Sequence, residues 1–286
     1  MGIDKHGLAF LEACRHLIKS PESILTIGRL KIYATPQCIR THLPNRNADL
    51  STIEYLDELL EHKFDCSVES LDFSEYQGAT ILQDLNTPIK PELKNAFSLI
   101  IESGTLEHIM DFRQAVGNVG EMTKIGGYMA IITPTNGYVG HGYFQINPDF
   151  FYAFFSPENG FEVVTCLMKF SKSPFWFYHP SPADDIGFRA EFRSRRYIRT
   201  FLLIKKVGAP SLQITNAFDY EKIWNASRGE ISWKGRLYNR TPTAIQLLLR
   251  FLNSFRLRRA IFNKLTKVTN YNLTNFVQTQ SGSKPS

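Results

Sequence analysis

Short apolar runs that end near a glycine or an acid recur along the first part of the chain, with helical patterns between most of them. The runs cover residues 23–27, 68–71, 79–82 and 97–101, and they are followed closely by Gly28, Asp72, Asp84 and Glu102. Short apolar runs bounded by turn residues are typical of buried strands. Helical periodicity in residues 4–19, 48–63 and 106–124 alternates with them. This alternation predicts an α/β fold with a doubly wound, mostly parallel sheet.

Three further apolar runs, at 128–133, 161–168 and 198–205, complete the predicted strands. We therefore expect one α/β domain over residues 1–207. The segment 171–196 within it contains three prolines and the aromatic cluster FWFY. Such a segment is typical of an ordered lid or a binding loop, or equally of an insertion packed on the sheet edge.

Cysteine usage and hydropathy limit the class of protein. The four cysteines, Cys14, Cys38, Cys66 and Cys166, form no CxxC pair, which argues against a disulfide framework and against a zinc site. The apolar stretches are far shorter than the roughly 20 residues of a membrane-spanning helix. The N-terminal residues lack the apolar run of a secretory signal, so the sequence predicts a cytoplasmic protein with reduced thiols.

Charge is distributed unevenly. Glu230 is the last acidic residue, and residues 231–286 carry ten basic residues, whereas the first 230 carry 23 basic and 27 acidic residues. We expect 208–286 to form a basic, partly helical C-terminal extension with a flexible end. Residues 243–255 have an amphipathic helical pattern that could place the basic segment against an anionic membrane, peripheral to its inner face. The alternatives are a solvated tail and an apolar face packed on the domain.

The residues after the strands indicate a ligand class. In parallel sheets of this kind, ligands bind beyond the carboxyl ends of the strands. A glycine after the first strand lets the backbone approach a ligand, an acid after the second can accept hydrogen bonds from ribose hydroxyls, and an acid after the third can accept one from an adenine amino group. Together they favour an adenosine-containing ligand. Aspartates also favour turns for purely local reasons, which leaves a structural alternative open.

Three segments carry a resemblance to a known family. They read CSVESLDFSEYQGATILQDLN from Cys66, FSLIIESGTLEHI from Phe97 and GGYMAIITPTNGYVGHGYFQINPDFF from Gly126. Between residues 23 and 169 the chain resembles the class I S-adenosylmethionine-dependent methyltransferases, in particular methyltransferase-like proteins encoded beside bacterial surface-polysaccharide genes. The resemblance implies a Rossmann-like fold and S-adenosylmethionine as the cofactor.

The resemblance also implies which residues contact the cofactor. They are Gly28, Asp72, Asp84, Leu85, which would cover the adenine ring, and Glu102, which would border the methionine portion. One departure concerns the turn after the first strand, which reads IGRLKIY where the family has a Gly-x-Gly-x-Gly type loop. Arg29 stands in this turn and could meet the methionine carboxylate through a charge-assisted pair.

Methyl transfer to a sugar hydroxyl requires a base, because the acceptor must lose a proton. His141 and His108 are the candidates, and Glu107 could orient or supplement one of them. His141 is preferred, since it lies between two glycines in a GHG loop. The residues expected on the acceptor side are Asn136, Tyr138, Tyr143, Phe144 and Gln145. No metal-ligand spacing occurs among the seven histidines, so no metal is expected.

The leading functional hypothesis is an S-adenosylmethionine-dependent methyltransferase acting on a small molecule or a glycan precursor. The alternative is a non-catalytic methyltransferase-fold binding module in a polysaccharide-assembly complex, which the single glycine of the first turn favours. Modification of nucleic acid is the weakest hypothesis, because aromatic residues do not interleave with the basic ones.

Overall fold

The computed structural model describes residues 2–41, 53–64, 66–179, 194–211 and 267–269 of the 286-residue chain. Its strands are β1 (Gly2–Asp4), β2 (Ser23–Ile27), β3 (Lys31–Tyr33), β4 (Ser67–Asp72), β5 (Ile81–Leu82), β6 (Phe97–Ser103), β7 (Thr123–Asn136), β8 (Phe161–Phe170), β9 (Phe175–Tyr178), β10 (Ile198–Lys206) and β11 (Lys267–Thr269). Its α-helices are α1 (Lys5–Ile18), α2 (Pro36–Arg40), α3 (Leu56–Lys63), α4 (Phe112–Met122) and α5 (Pro148–Phe154). Short 3-10 turns cover Pro91–Leu93, Leu106–His108 and Pro157–Asn159.

Nine of these strands form one sheet in the order β11-β9-β8-β10-β7-β6-β2-β4-β5. The five strands from β7 to β5 are parallel, whereas β10 runs antiparallel to both β7 and β8. From β2 the chain moves outward to β4 and β5, and then returns to β6 on the other side of β2. This reversal places a topological switch point between β2 and β6, where ligands bind in such sheets. The predicted doubly wound α/β sheet is therefore confirmed, with parallel pairing among these five strands and antiparallel pairing from β7 through β10, β8 and β9 to β11.

Helices cover both faces of the sheet. On one face α1 and α3 pack against Leu99 and Ile101 of β6, and on the other α4 and α5 pack against Ile100 of the same strand. Side chains alternate between the two faces of a strand. A strand buried on both faces must therefore be apolar throughout, which explains the continuous runs in the sequence.

The chain between β2 and α3 departs from the sequence expectation. The helix predicted over 48–63 begins at Leu56, while 42–52 lie outside the described residues. Glu54 and Tyr55 lie instead beside β3, since Ile32 N donates to Glu54 O at 3.0 Å and Leu56 N donates to Leu30 O at 2.8 Å. The Pro-containing stretch after Arg29 thus forms strand β3 and helix α2.

The helix predicted over 106–124 is interrupted. Leu106–His108 is a 3-10 turn, and α4 begins only at Phe112. Asp111 caps α4, because its Oδ1 accepts a 3.0 Å hydrogen bond from Gln114 N. A residue in this capping position has non-helical backbone angles, so the helix cannot extend backward through it.

The segment 171–196 contributes to the sheet. Phe175–Tyr178 forms β9, which pairs with β8, and Trp176 is fully buried. Lys267–Thr269 pairs with β9, so part of the region predicted as a separate extension lies on the same sheet. Residues 180–193, the amphipathic segment 243–255 and every basic residue of 231–286 except Lys267 lie outside the described residues.

Two other sequence expectations concern thiols and membranes. All four cysteines are free thiols, and Cys14 and Cys166 are buried. In the part of the chain that the structure describes, no helix combines the length and the apolar character needed to cross a bilayer.

The start of α1 contains a half-buried histidine, His6. Asp4 caps this helix by accepting 3.1 Å hydrogen bonds from His6 N and Gly7 N. The His6 ring packs edge-on against Trp176, with centroids 6.0 Å apart, and its Nδ1 is buried without a hydrogen-bond partner in the described chain. Burial disfavours the charged imidazolium and lowers the pKa of His6 from 6.5 to about 4.

Replacing His6 with leucine is expected to make the protein less sensitive to acid. Between pH 6.5 and 4 the unfolded chain binds a proton at His6 that the native state does not, so the free energy of unfolding falls as the pH falls through this window. Urea unfolding at several pH values across it measures the slope. His62→Leu on the exposed surface of α3 is the control and should keep the wild-type slope. Equal slopes for His6→Leu and wild type would contradict the prediction.

Candidate functional site

A cavity of about 320 Å³ opens at the carboxyl ends of β6 and β7. This volume lies within the roughly 300–1,000 Å³ range of small-molecule sites. Its lining includes Ser103, Gly104, Glu107, His108, Pro134, Tyr138 and His141, and it is completed by Gly2, Tyr33, Ile132 and Arg199. The cavity is therefore built mainly by the turn after β6 and the loop after β7.

The turn after β6 is fixed by a buried carboxylate. Gly104 adopts a φ of 83°, a left-handed conformation that favours glycine and reverses the chain directly after the strand. Glu102 is fully buried, and its Oε1 accepts hydrogen bonds from Thr105 N at 2.6 Å and Leu106 N at 3.2 Å. Thr105 Oγ1 donates to Ile27 O at 2.7 Å, which ties the turn to the end of β2. Glu102 thus holds the GTLEH turn in place.

Glu107 joins this turn to the GHG loop. The Glu107 carbonyl oxygen accepts hydrogen bonds from Tyr143 N at 2.8 Å and Phe144 N at 3.3 Å. A Cβ at Gly142 would lie 2.9 Å from the same oxygen, so the close approach of the two segments requires glycine there. The two segments that the sequence singled out for catalysis are therefore in direct contact.

The side chains at this contact form a compact polar group. The Glu107 carboxylate is 1% exposed, and its Oε1 lies 3.8 Å from His141 Nε2. The rings of His108 and His141 have centroids 5.2 Å apart, and both histidines are exposed at the cavity. The Tyr138 ring packs against His141 at 5.7 Å.

Burial shapes the electrostatics of this group. It raises the pKa of both Glu102 and Glu107 above the ordinary carboxyl value, and the neighbouring Glu107 charge raises that of Glu102 further. Burial, with a smaller contribution from His141, lowers the pKa of His108. A solvent-facing imidazole backed by a buried carboxylate is an arrangement that can accept a proton from a bound hydroxyl.

Arg29 is held by the chain itself at the turn after β2. Its Nε lies 3.2 Å from Asp57 Oδ2, its Nη2 lies 3.1 Å from Glu58 Oε1, and its Nη1 donates to Gln77 O at 2.7 Å. The guanidinium also stacks 4.3 Å above the Tyr55 ring. These contacts join the first turn to α3 and to the loop after β4. The predicted role of Arg29 in meeting a cofactor carboxylate would require some of them to be released.

The two predicted cofactor acids lie at or just beyond the ends of neighbouring strands, Asp72 ending β4 and Asp84 following β5. The Asp72 Oδ1 accepts a 3.3 Å hydrogen bond from Ser74 N. Asp84 is exposed, and its Oδ1 accepts two hydrogen bonds from Asn86, at 2.9 and 2.8 Å, in a local turn.

The other predicted cofactor residues are buried near these ends. Leu85 is 4% exposed and packs in the core with Ile27 and Leu71. Gly28 N donates to Leu71 O at 2.6 Å, which joins the ends of β2 and β4. None of Gly28, Asp72, Asp84 and Leu85 lines the cavity described above, which lies on the β6 and β7 side of the switch point.

Of the five residues predicted for the acceptor side, only Tyr138 is part of the cavity lining. Tyr138 lines the cavity, and Gln145 supports it by accepting a 2.8 Å hydrogen bond from Tyr138 N. Asn136 donates from Nδ2 to the carbonyl oxygens of Ser194 and Arg196, both at 3.2 Å. Tyr143 is 64% exposed. Phe144 packs against Phe112 with centroids 5.4 Å apart.

Sequence reasoning missed the residues that close the cavity from other elements. Arg199 reaches it from β10 and pairs with Asp4, with 2.6 Å between Nη2 and Oδ2. Tyr33 comes from β3 and Gly2 from β1, whose carbonyl accepts a 2.9 Å hydrogen bond from Ser103 Oγ. Arg199 lies within the apolar run at 198–205, and the sequence alone did not show that its side chain reaches the cavity.

No protein-family model matches the chain, and no curated protein matches its sequence. Solved structures resemble it in fold at low sequence identity. The branched-chain polyamine synthase of Thermus thermophilus, in complex with N4-aminopropylspermidine and 5′-methylthioadenosine, is 11% identical with a TM-score of 0.40. That alignment covers 74% of this chain and 58% of the synthase, so the chain spans little more than half of that enzyme.

Two methyltransferases are among the other similar structures. A TehB-like S-adenosylmethionine-dependent methyltransferase from Corynebacterium glutamicum is 14% identical with a TM-score of 0.39, over 70% of this chain and 87% of that one. The 1,6-didemethyltoxoflavin-N1-methyltransferase of Burkholderia thailandensis, with bound 1,6-didemethyltoxoflavin and S-adenosylhomocysteine, is 11% identical with a TM-score of 0.38. It aligns over 71% of this chain and 80% of that one. The similarity concerns the fold alone.

Proposed function

We propose that this protein is an S-adenosylmethionine-dependent methyltransferase that acts on a small molecule or a glycan precursor, in the context of surface-polysaccharide synthesis. The observation that carries the proposal is the Glu107 and His141 pair in the wall of a cavity at the carboxyl ends of β6 and β7. A doubly wound sheet binds its ligands at this edge.

The strand ends beside the switch point fit the adenosine part of the cofactor. Asp72 ends β4 and Asp84 follows the neighbouring strand β5, and carboxylates there can accept hydrogen bonds from ribose hydroxyls and an adenine amino group. Glu102 keeps the turn between this edge and the cavity in one conformation. When bound, S-adenosylmethionine supplies a methyl group activated by a sulfonium sulfur.

His141 and Glu107 would act on the acceptor. The imidazole, exposed at the cavity, would accept the proton of an acceptor hydroxyl. The buried Glu107 carboxylate, with its Oε1 3.8 Å from His141 Nε2, would orient this imidazole towards the acceptor. Tyr138, packed on His141, would restrict the position of the ring.

Replacing Asp72 with alanine is expected to weaken the binding of S-adenosylmethionine by about 10- to 150-fold. The reason is the loss of a charge-assisted hydrogen bond, which contributes about 1.5–3 kcal/mol. Isothermal titration calorimetry with S-adenosylmethionine and S-adenosylhomocysteine measures the effect. Glu69→Ala, in the same strand, is the matched control, and equal dissociation constants for the two variants would remove Asp72 from the site.

The second candidate is a binding module that does not catalyse methyl transfer. The observation that favours it is the set of contacts that hold Arg29 against Asp57, Glu58 and Gln77 across the first turn. The same calorimetry separates the candidates. Absence of binding at millimolar S-adenosylmethionine would favour the binding module, whereas binding together with transfer to an acceptor would exclude it.

A further inference from the structure

We infer that Glu107, His108 and His141 form a binding site for a divalent transition-metal ion. One potential ligand atom of each residue, a carboxylate oxygen or a ring nitrogen, lies within 4.8 Å of those of the other two. All three residues line the cavity at the ends of β6 and β7. The spacing of potential ligands in the sequence does not indicate this site, because His141 is separated from Glu107 by more than thirty residues of chain.

Two buried carboxylate oxygens provide an independent observation. Glu107 is 1% exposed and Glu102 is fully buried, yet Oε2 of each has no hydrogen-bond partner among the described residues. No described lysine or arginine forms an ion pair with either carboxylate. A buried carboxylate needs a compensating positive charge or a proton, and a bound ion is one of the explanations of an unsatisfied buried polar atom. A divalent cation at Glu107 supplies that charge.

Small movements of the side chains would bring the ligand atoms to the separations that a bound ion requires. Metal bonds of about 2.0–2.2 Å place neighbouring ligand atoms about 3–3.5 Å apart. The Glu107 Oε1 to His141 Nε2 distance is 3.8 Å, and all three ligand atoms lie within 4.8 Å of one another. His141 is 54% exposed in a loop between two glycines, and His108 is exposed at the end of a 3-10 turn. Both rings can therefore approach the fixed carboxylate.

The chemical types of the three ligands indicate which ions the site would bind. Two imidazoles and one carboxylate suit zinc, iron(II), cobalt or manganese, whereas calcium and magnesium prefer oxygen ligands alone. Three protein ligands leave coordination positions open towards the cavity. Those positions would take an oxygen ligand such as a hydroxyl group of the molecule bound there.

This inference does not depend on methyl transfer, because ion binding is measured without a methyl donor. With an ion bound, His141 would serve as a ligand and the ion would lower the pKa of an acceptor hydroxyl. Loss of His141 would lower turnover in either case. Activity of the chelator-treated enzyme would assign the proton-accepting role to the imidazole instead.

The experiment uses the untagged full-length protein, from which bound metal is removed with a chelator. This protein is titrated calorimetrically with zinc chloride and with cobalt chloride. We expect one ion per chain, together with visible absorption of the cobalt form that reports nitrogen ligands. His141→Ala and Glu107→Gln should each weaken binding by about 100-fold or more, since even residues behind the ligands contribute 10- to 100-fold. His62→Ala, which removes an exposed histidine of α3, should bind as wild type does.

Two outcomes would overturn the inference. One is absence of binding of zinc and of cobalt at millimolar concentration. The other is wild-type affinity in His141→Ala, which would place the ion elsewhere. His141 is exposed in a loop, so its variant should fold even if the buried Glu107→Gln does not. Titration of the stripped protein with S-adenosylmethionine tests the proposed function separately, and its failure would leave the metal site standing.

Discussion

Replacement of His141 with alanine is expected to lower turnover with S-adenosylmethionine by about 10²- to 10⁴-fold, which is the usual contribution of a positioned proton acceptor. The imidazole lies at the cavity wall with Glu107 Oε1 3.8 Å behind it. The dissociation constant of the cofactor should change little, because Asp72 and Asp84 lie on the other side of the switch point. The effect should therefore fall on kcat and leave cofactor binding intact.

Release of S-adenosylhomocysteine measures turnover, with the small-molecule or glycan acceptor that supports the highest wild-type rate. His62→Ala is the matched control, since it removes an exposed histidine remote from the cavity. Glu107→Gln should lower turnover in the same direction as His141→Ala, because it removes the charge behind the imidazole. If His141→Ala retains wild-type turnover, the proton acceptor lies elsewhere or none is needed.

The sequence was sufficient to predict the sheet, because a strand that is buried on both faces is apolar throughout its length. The run at 97–101 is apolar throughout, and in the structure Ile100 faces one helical layer while Leu99 and Ile101 face the other. The alternation of strands and helices indicated the doubly wound architecture but did not predict the order of the strands. These are local or statistical constraints, which a single sequence carries.

The structure of the first turn could not be predicted in the same way. Gly28 ends β2 as expected, but the chain then forms β3 and α2 before α3 begins at Leu56. The reason lies in distant contacts, because Arg29 binds Gln77 O across 48 positions and α3 acids across 28 and 29. Contacts at such separations depend on tertiary packing, which periodicity does not encode.

The burial of Lys206 is a further feature that depends on tertiary packing and that the sequence did not predict. A lysine at the end of a strand is expected to be exposed to solvent, yet this side chain is fully buried. Its Nζ donates to Asn95 Oδ1 at 2.8 Å, Gly120 O at 2.9 Å and Thr123 O at 2.7 Å. These acceptors include carbonyl groups at the C-terminal end of α4, which have no partner within the helix. Only the docking of α4 against β10 makes that burial favourable.

Phe201 lies where three elements of the domain meet. It is fully buried in β10, with its ring 5.6 Å from that of Phe10 in α1 and 4.8 Å from that of Trp176 in β9, both in edge contact. The Arg199 guanidinium lies 5.3 Å from the same ring. This one side chain therefore joins the N-terminal helix and the strand of the 171–196 segment to the antiparallel part of the sheet.

Truncation of Phe201 to alanine is expected to lower the free energy of unfolding by about 3–5 kcal/mol, the loss typical of a large aromatic side chain removed from a packed core. Urea unfolding followed by tryptophan fluorescence and by circular dichroism measures it. Phe73→Ala is the matched control, because Phe73 is 79% exposed and its removal should change the stability by about 0.5 kcal/mol or less. A loss below about 1 kcal/mol for Phe201→Ala, in the range of ordinary substitutions, would show that β9 and α1 do not pack on β10 through this ring.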